Sequence, residues 1–157
     1  MDKSIEELVV EKLINLGYHI SFAESCTGGL LSARLVNVAN ASKVLDVSFV
    51  TYHEDMKAKY LGVKKETILK YDVVSEEVAS EMALGVCKEA NSNIGVSVTG
   101  YSGPTGGTDS IPVGTVCFGF CINGKVYTEK KMFGNVGRNK VRSLASDFAF
   151  LKLNELL

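Results

Sequence analysis

Ser25 stands in the string AESCTGG (23–29), between the alternating segment Tyr18-His19-Ile20-Ser21-Phe22 and an apolar run of Leu30, Leu31, Ala33, Leu35 and Val36. The alternation predicts a strand and the helical spacing predicts a helix over 27–38, so the hydroxyl falls on a strand-to-helix turn. Gly28 and Gly29 permit close approach of the backbone. The first amides of a helix have no internal partners and can face an anion or a developing negative charge. Two readings stand at this turn: Ser25 or Thr27 caps the helix, or Ser25 is a nucleophile. Cys26 is its rival, because a helix start lowers a thiol pKa. Neighbouring side chains leave the backbone in different directions, so the two do not both face one cleft.

A serine hydroxyl needs a base to take its proton. His19 lies within the predicted first strand and is expected to pack or face solvent. His53 follows Tyr52 at the end of the predicted second strand, and no Ser/His/Asp arrangement stands out. Lys57 and Lys59 occupy a short predicted helix just beyond. A lysine desolvated in a cleft becomes basic enough to accept a proton, whereas a solvated surface lysine does not. The loop 99–112 carries Thr99, Gly100, Gly103, Gly106 and Gly107, whose amides suit an anion or merely form a connection. Arg138 and Arg142, one helical turn apart, either meet phosphate or form a solvated stripe.

Positioning these groups requires a particular order of elements. Ser4 and Glu7 have capping-box spacing before a helix over 5–16 that Gly17 stops. Strands are predicted at 44–52, 94–98, 113–122 and 125–133, with Asn123-Gly124 as a hairpin turn between the last two. Helices are predicted at 53–62, 65–71, 76–91 and 138–156. Strands alternating with helices in the first hundred residues predict parallel pairing with helices on both faces, and the hairpin makes the sheet mixed. Ligands in such folds gather at the carboxyl ends of strands. The segments 24–29, 52–57 and 99–107 follow three of those ends, so neighbouring parallel strands would bring them into one cleft.

The 157 residues predict one domain, 1–157, and their 46% hydrophobic and 22% charged content is that of a soluble globular protein. A net charge of -1 without a dense basic block argues against nucleic-acid binding. The acidic start MDKSIEELVVEKL and the absence of a long apolar run predict a cytoplasmic protein that neither carries a signal peptide nor spans a membrane. Cys26, Cys87, Cys117 and Cys121 lack zinc-site spacing and are expected as free, buried thiols, with no metal.

AESCTGG, FVTYHEDMKAKYLGV, VSEEVASEMALGV, SVTGYSGPTGG and PVGTV, in that order, resemble the C-terminal domain family of the competence/damage-inducible protein CinA, over nearly the whole chain. The resemblance implies a three-layer α/β/α sandwich with a mixed, mostly parallel central sheet. It implies a nicotinamide-nucleotide amidase activity, needing no cofactor, in a homo-oligomer such as a dimer. It also implies a catalytic set of Ser25, Lys57 and Tyr52, with Lys57 accepting the Ser25 proton and Tyr52 orienting or relaying. The substrate is then a small nucleotide, nicotinamide mononucleotide, held by amides near Thr27, Gly28 and Gly29, by the 99–107 loop, and by Arg138 or Arg142. An alternative is a catalytically weak nucleotide-binding or sensor module of the same fold. Two departures stand out: Tyr52-His53-Glu54 where relatives usually read Tyr-Ser-Asn, and Gly100-Tyr101-Ser102-Gly103-Pro104 where they read GIAGP. They bear on turnover and substrate preference, since Glu54 favours a protonated Lys57 and Tyr101 narrows the pocket or stacks on a ring.

Overall fold

A computed structural model describes residues 2–157. In chain order the elements are α1 (Ile5–Leu16), β1 (Ile20–Glu24), α2 (Leu30–Val36), β2 (Leu45–Val50), α3 (Glu54–Leu61), α4 (Lys65–Tyr71), α5 (Glu76–Ala90), β3 (Ile94–Gly100), β4 (Thr115–Ile122), β5 (Lys125–Met132) and α6 (Arg138–Leu156), with a short 3₁₀ turn at Ala41–Lys43. The sheet order is β2-β1-β3-β4-β5. β1 pairs in parallel with β2 and β3, and β3-β4-β5 is antiparallel, so the sheet is mixed as expected.

Helices cover both faces, giving a three-layer α/β/α sandwich. α6 packs against α1 and the sheet on one side, while α5 lies across β1, β3, β4 and β5 on the other and carries α3 and α4. The two-residue period of β3 divides its side chains between these layers. Ile94, Val96 and Val98 enter the core under α1, α2 and α6 together with Phe22, Leu31, Leu35, Phe118, Phe120 and Phe150. Gly95 and Ser97 face α5, where a Cβ on Gly95 would stand 2.5 Å from the Ala83 carbonyl oxygen, so glycine lets α5 settle directly on the sheet. The Ser97 hydroxyl donates to Ala79 O at 2.6 Å.

Gly85 does the same for the next contact outward. A Cβ there would fall 1.9 Å from the carbonyl oxygen of Leu61, the last residue of α3. The close crossing of α3 on α5 fixes the helix that bears Lys57. The ends of α3 are set locally: His53 Nδ1 accepts from the Asp55 amide at 3.2 Å, and Gly62 adopts the left-handed conformation, φ 71°, that stops the helix. The capping box of α1 forms as its spacing predicts, with the Glu7 amide donating to Ser4 Oγ and the Ser4 amide to Glu7 Oε2.

Two boundaries near the turn differ from expectation. β1 runs to Glu24 because it is paired on both sides, opposite Val50 of β2 and Val98 of β3. α2 begins at Leu30 rather than Thr27, since Gly28 (φ 59°) and Gly29 (φ 105°) are left-handed and hold the chain in a turn. His19 precedes β1 and is exposed, its ring paired with Asp46 at 2.6 Å. All four cysteines are free and buried. No helix of the described residues is long and apolar enough to cross a membrane.

Candidate active site

β2, β1 and β3 end side by side, and their following segments do converge. The Ser25 amide donates to Val98 O of β3, and the Thr51 amide donates to Glu24 O of β1, each at 3.0 Å. Above these ends lies a cavity of about 450 Å³ lined in part by Ser25, Tyr52, Lys57, Thr99, Tyr101 and Arg138. That volume suits a small organic molecule.

Lys57 reaches into it from α3 and is 1% exposed. Its Nζ lies 2.7 Å from Thr51 O, 3.4 Å from Tyr52 O and 3.0 Å from Ser25 Oγ. Burial pulls the ammonium pKa from 10.5 down to about 8, against the opposing pull of the Glu54 carboxylate. Nζ donates to the two carbonyls and to the Ser25 hydroxyl, three acceptors for the three N–H groups of the ammonium; once the amine loses a proton, its lone pair can face the same hydroxyl. The lysine thus meets the serine within proton-transfer distance.

The turn that presents Ser25 is braced from both sides. Glu24, fully buried, accepts on Oε1 from the Thr27 hydroxyl at 2.7 Å and the Gly29 and Leu31 amides at 3.2 and 2.9 Å. Its Oε2 accepts from the Ser32 amide at 3.1 Å and the Ser32 hydroxyl at 2.8 Å. A carboxylate of the chain itself therefore occupies the start of α2, correcting the expectation that these amides stand open to a ligand. Gly28 N–H is also engaged, donating to Ser25 O at 3.0 Å. The amides of Gly28 and Gly29 are thus committed, whereas those of Cys26 and Thr27 have no acceptor among the described residues. From the far side Arg142 donates through Nε to Cys26 O at 2.9 Å and through Nη2 to Thr27 O at 3.0 Å. Arg142 is therefore a clamp on the turn, not a wall of the cavity.

Arg138 does line the cavity. Its Nη2 donates to the Tyr52 hydroxyl at 2.6 Å and its Nη1 to Gly103 O at 2.8 Å, tying the end of β2 to the glycine loop. Tyr52 touches Lys57 through its carbonyl; its hydroxyl belongs to Arg138 and makes no hydrogen bond to Ser25 or Lys57. Thr99 and Gly100 line the cavity, with the Thr99 hydroxyl donating to Val73 O at 3.0 Å. Gly103, Gly106 and Gly107 take positive φ and shape the loop behind the wall that Ser102 and Thr105 present.

Cys26 is 4% exposed, belongs to the core cluster and also lines the cavity; burial pushes its thiol up to about 12, which disfavours the thiolate that a cysteine nucleophile needs. Two groups escaped the sequence reading: Glu24, and Asp72, whose carboxylate holds the Tyr101 hydroxyl at 2.6 Å. The available signal for Asp72 was its place between an apolar helix end and Val73-Val74-Ser75, where Asp commonly turns the chain.

The profile of the CinA C-terminal domain matches residues 2–157. A CinA-like protein of Kosmotoga olearia is 50% identical over 94% of this chain and 36% of its own length. Solved structures agree. The competence/damage inducible protein CihA of Agrobacterium tumefaciens superposes with a TM-score of 0.93 at 38% identity, covering 99% of this chain and 97% of that one. A CinA superfamily protein of Escherichia coli gives 0.92 at 38% identity, covering 98% and 91%. The chain spans about a third of the length of the curated relatives it matches. With its sheet order, its strand-end cleft and these likenesses together, the chain belongs to the CinA C-terminal domain family.

Proposed function

We propose that the protein hydrolyses the carboxamide of nicotinamide mononucleotide, giving nicotinate mononucleotide and ammonia. The observation that carries this reading is the buried Lys57 amine 3.0 Å from Ser25 Oγ in a cleft of nucleotide-compatible size. Ser25 Oγ attacks the carboxamide carbon as its proton passes to Lys57 Nζ, forming a C–O bond and a tetrahedral oxyanion. Cys26 lines the cleft and its amide has no acceptor among the described residues, so it is the donor this reading assigns to the oxyanion; Thr27 is fully buried and outside the lining. Collapse breaks the C–N bond, and the proton on Lys57 leaves with ammonia. Water then attacks the acyl ester, giving a proton to the amine, and the acid departs as Ser25 regains its hydrogen.

Arg138 supplies the phosphate contact in this reading. Two of its donors hold Tyr52 and Gly103, and an arginine has five, so a fork remains for an anion at the cavity rim. Tyr52 acts by holding Arg138 and by its carbonyl on Lys57.

The test is direct: incubate the purified chain with nicotinamide mononucleotide and follow ammonia and nicotinate mononucleotide together. Stoichiometric release of both is the expected result. Glu54, which favours protonated Lys57, is the observation that favours a sensor instead; tight binding of the nucleotide without any ammonia would establish that second reading.

A further inference from the structure

Tyr101 lines the same cavity as Ser25 and Lys57, and it is held more firmly than a loop side chain needs to be. Its backbone is locked onto the start of β4, the amide donating to Thr115 O at 3.0 Å and the carbonyl accepting from the Gly114 amide at 2.7 Å. The hydroxyl donates to Asp72 Oδ1 at 2.6 Å, and the same oxygen accepts from the Val74 amide at 3.0 Å. Asp72 itself takes a positive φ of 77° with extended ψ, 156°, and its carbonyl accepts from Ser75 Oγ at 2.8 Å. The ring packs against the buried cluster of Val74, Ala79 and Cys117, which Val73 and Ile111 also flank. Gly106 closes over it so tightly that a Cβ there would lie 3.2 Å from Tyr101 Cδ1.

We propose that Tyr101 is a specificity-determining residue: a fixed aromatic wall against which the planar ring of the substrate stacks while its carboxamide meets Ser25. This rests on the amidase reading and deepens it by naming what selects the ring. Anchoring at both ends removes the rotamer freedom that stacking would otherwise cost, so the wall is ready before the ligand arrives. Burial and the Asp72 carboxylate hold the phenol well above its ordinary pKa, so it remains a neutral donor to Asp72. An electron-poor pyridinium lying over a neutral phenol ring combines offset stacking with cation–π attraction.

The test compares wild type with Tyr101→Leu, which keeps an apolar side chain without a π face, and Tyr101→Phe, which keeps the ring without the tether. KM and kcat are measured for nicotinamide mononucleotide, with inhibition constants for ribose 5-phosphate, a ligand that lacks the ring. Loss of stacking predicts a KM about 3- to 10-fold higher in Tyr101→Leu, ribose 5-phosphate within about twofold of wild type, and Tyr101→Phe between the two. An unchanged KM, or a parallel weakening of ribose 5-phosphate, overturns the inference and leaves the amidase reading standing. If the wild type releases no ammonia, the amidase reading fails by itself. The calorimetric affinity of nicotinate mononucleotide over ribose 5-phosphate then decides: an advantage lost in Tyr101→Leu sustains the aromatic wall, and no advantage in wild type ends it.

Discussion

Lys57 Nζ lies 3.0 Å from Ser25 Oγ, with the Thr51 carbonyl 2.7 Å away on the same nitrogen. The contact joins residues 32 positions apart in sequence. It forms because β1 and β2 end side by side and α3 is pressed inward by Gly85. In the proposed reaction this lysine receives the Ser25 proton, and much of what the site should do follows from that.

The pH–rate profile is the first consequence. In the proposed reaction Lys57 acts as the neutral amine, and burial lowers its pKa to about 8, so kcat/KM should rise about tenfold per pH unit on the acid side and level off above about 8. Glu54 opposes this lowering. Glu54→Gln should therefore shift the midpoint to lower pH, measurable from initial ammonia-release rates between pH 6 and 10.

The same group sets a stability signature. Lys57 titrates near 10.5 when unfolded and near 8 when folded, so between those values the unfolded chain binds the extra proton and folding gains stability as pH rises. Below 8 the folded protein carries a buried ammonium whose cost is of order 3 kcal/mol. Lys57→Met should thus be about 2 kcal/mol more stable than wild type at pH 7, with the gain fading as pH climbs toward 10.5. Urea melts at pH 7 and pH 10 check both sign and window.

Glu24 should matter for stability and geometry alike. In Glu24→Gln one oxygen becomes an NH₂ that faces N–H or O–H donors, leaving buried donors unsatisfied, and a loss of about 2–4 kcal/mol is expected. For a domain of this size that lowers Tm by roughly 5–15 °C, readable by calorimetry.

Arg138 and Arg142 should separate in kinetics. Arg142 holds the Cys26 and Thr27 carbonyls, so Arg142→Ala should lower kcat about 10- to 100-fold with little change in KM, through a misplaced turn. Arg138 faces the cleft, and Arg138→Ala should raise KM about 10-fold with kcat largely kept. Steady-state kinetics on both variants decide this.

Most of the architecture was legible because periodicity and turn chemistry are local. The α1 capping box, the Asn123-Gly124 hairpin and the glycine stop of α3 each declare themselves within a few residues. The convergence of the three strand ends followed from the alternation of strands and helices once parallel neighbours were assumed, and the order β2-β1-β3 supplies them. What stayed hidden depends on partners distant along the chain. Nothing near Arg142 announces that it clamps carbonyls 115 and 116 positions away. The Glu24 carboxylate is adjacent to Ser25, yet its filling of the start of α2 shows only once the turn is folded. Tyr52 and Lys57 were paired by family pattern, and in space the tyrosine contributes its carbonyl to the lysine and its hydroxyl to Arg138.

The measurement that bears most directly on the account is ammonia release from nicotinamide mononucleotide by Ser25→Ala and Lys57→Met beside wild type and Cys26→Ala, each first shown to be folded. The account predicts losses of at least about 10³-fold for the first two and most of the activity kept in Cys26→Ala. Release by Ser25→Ala at a rate near that of wild type, or its abolition by Cys26→Ala alone, would contradict it.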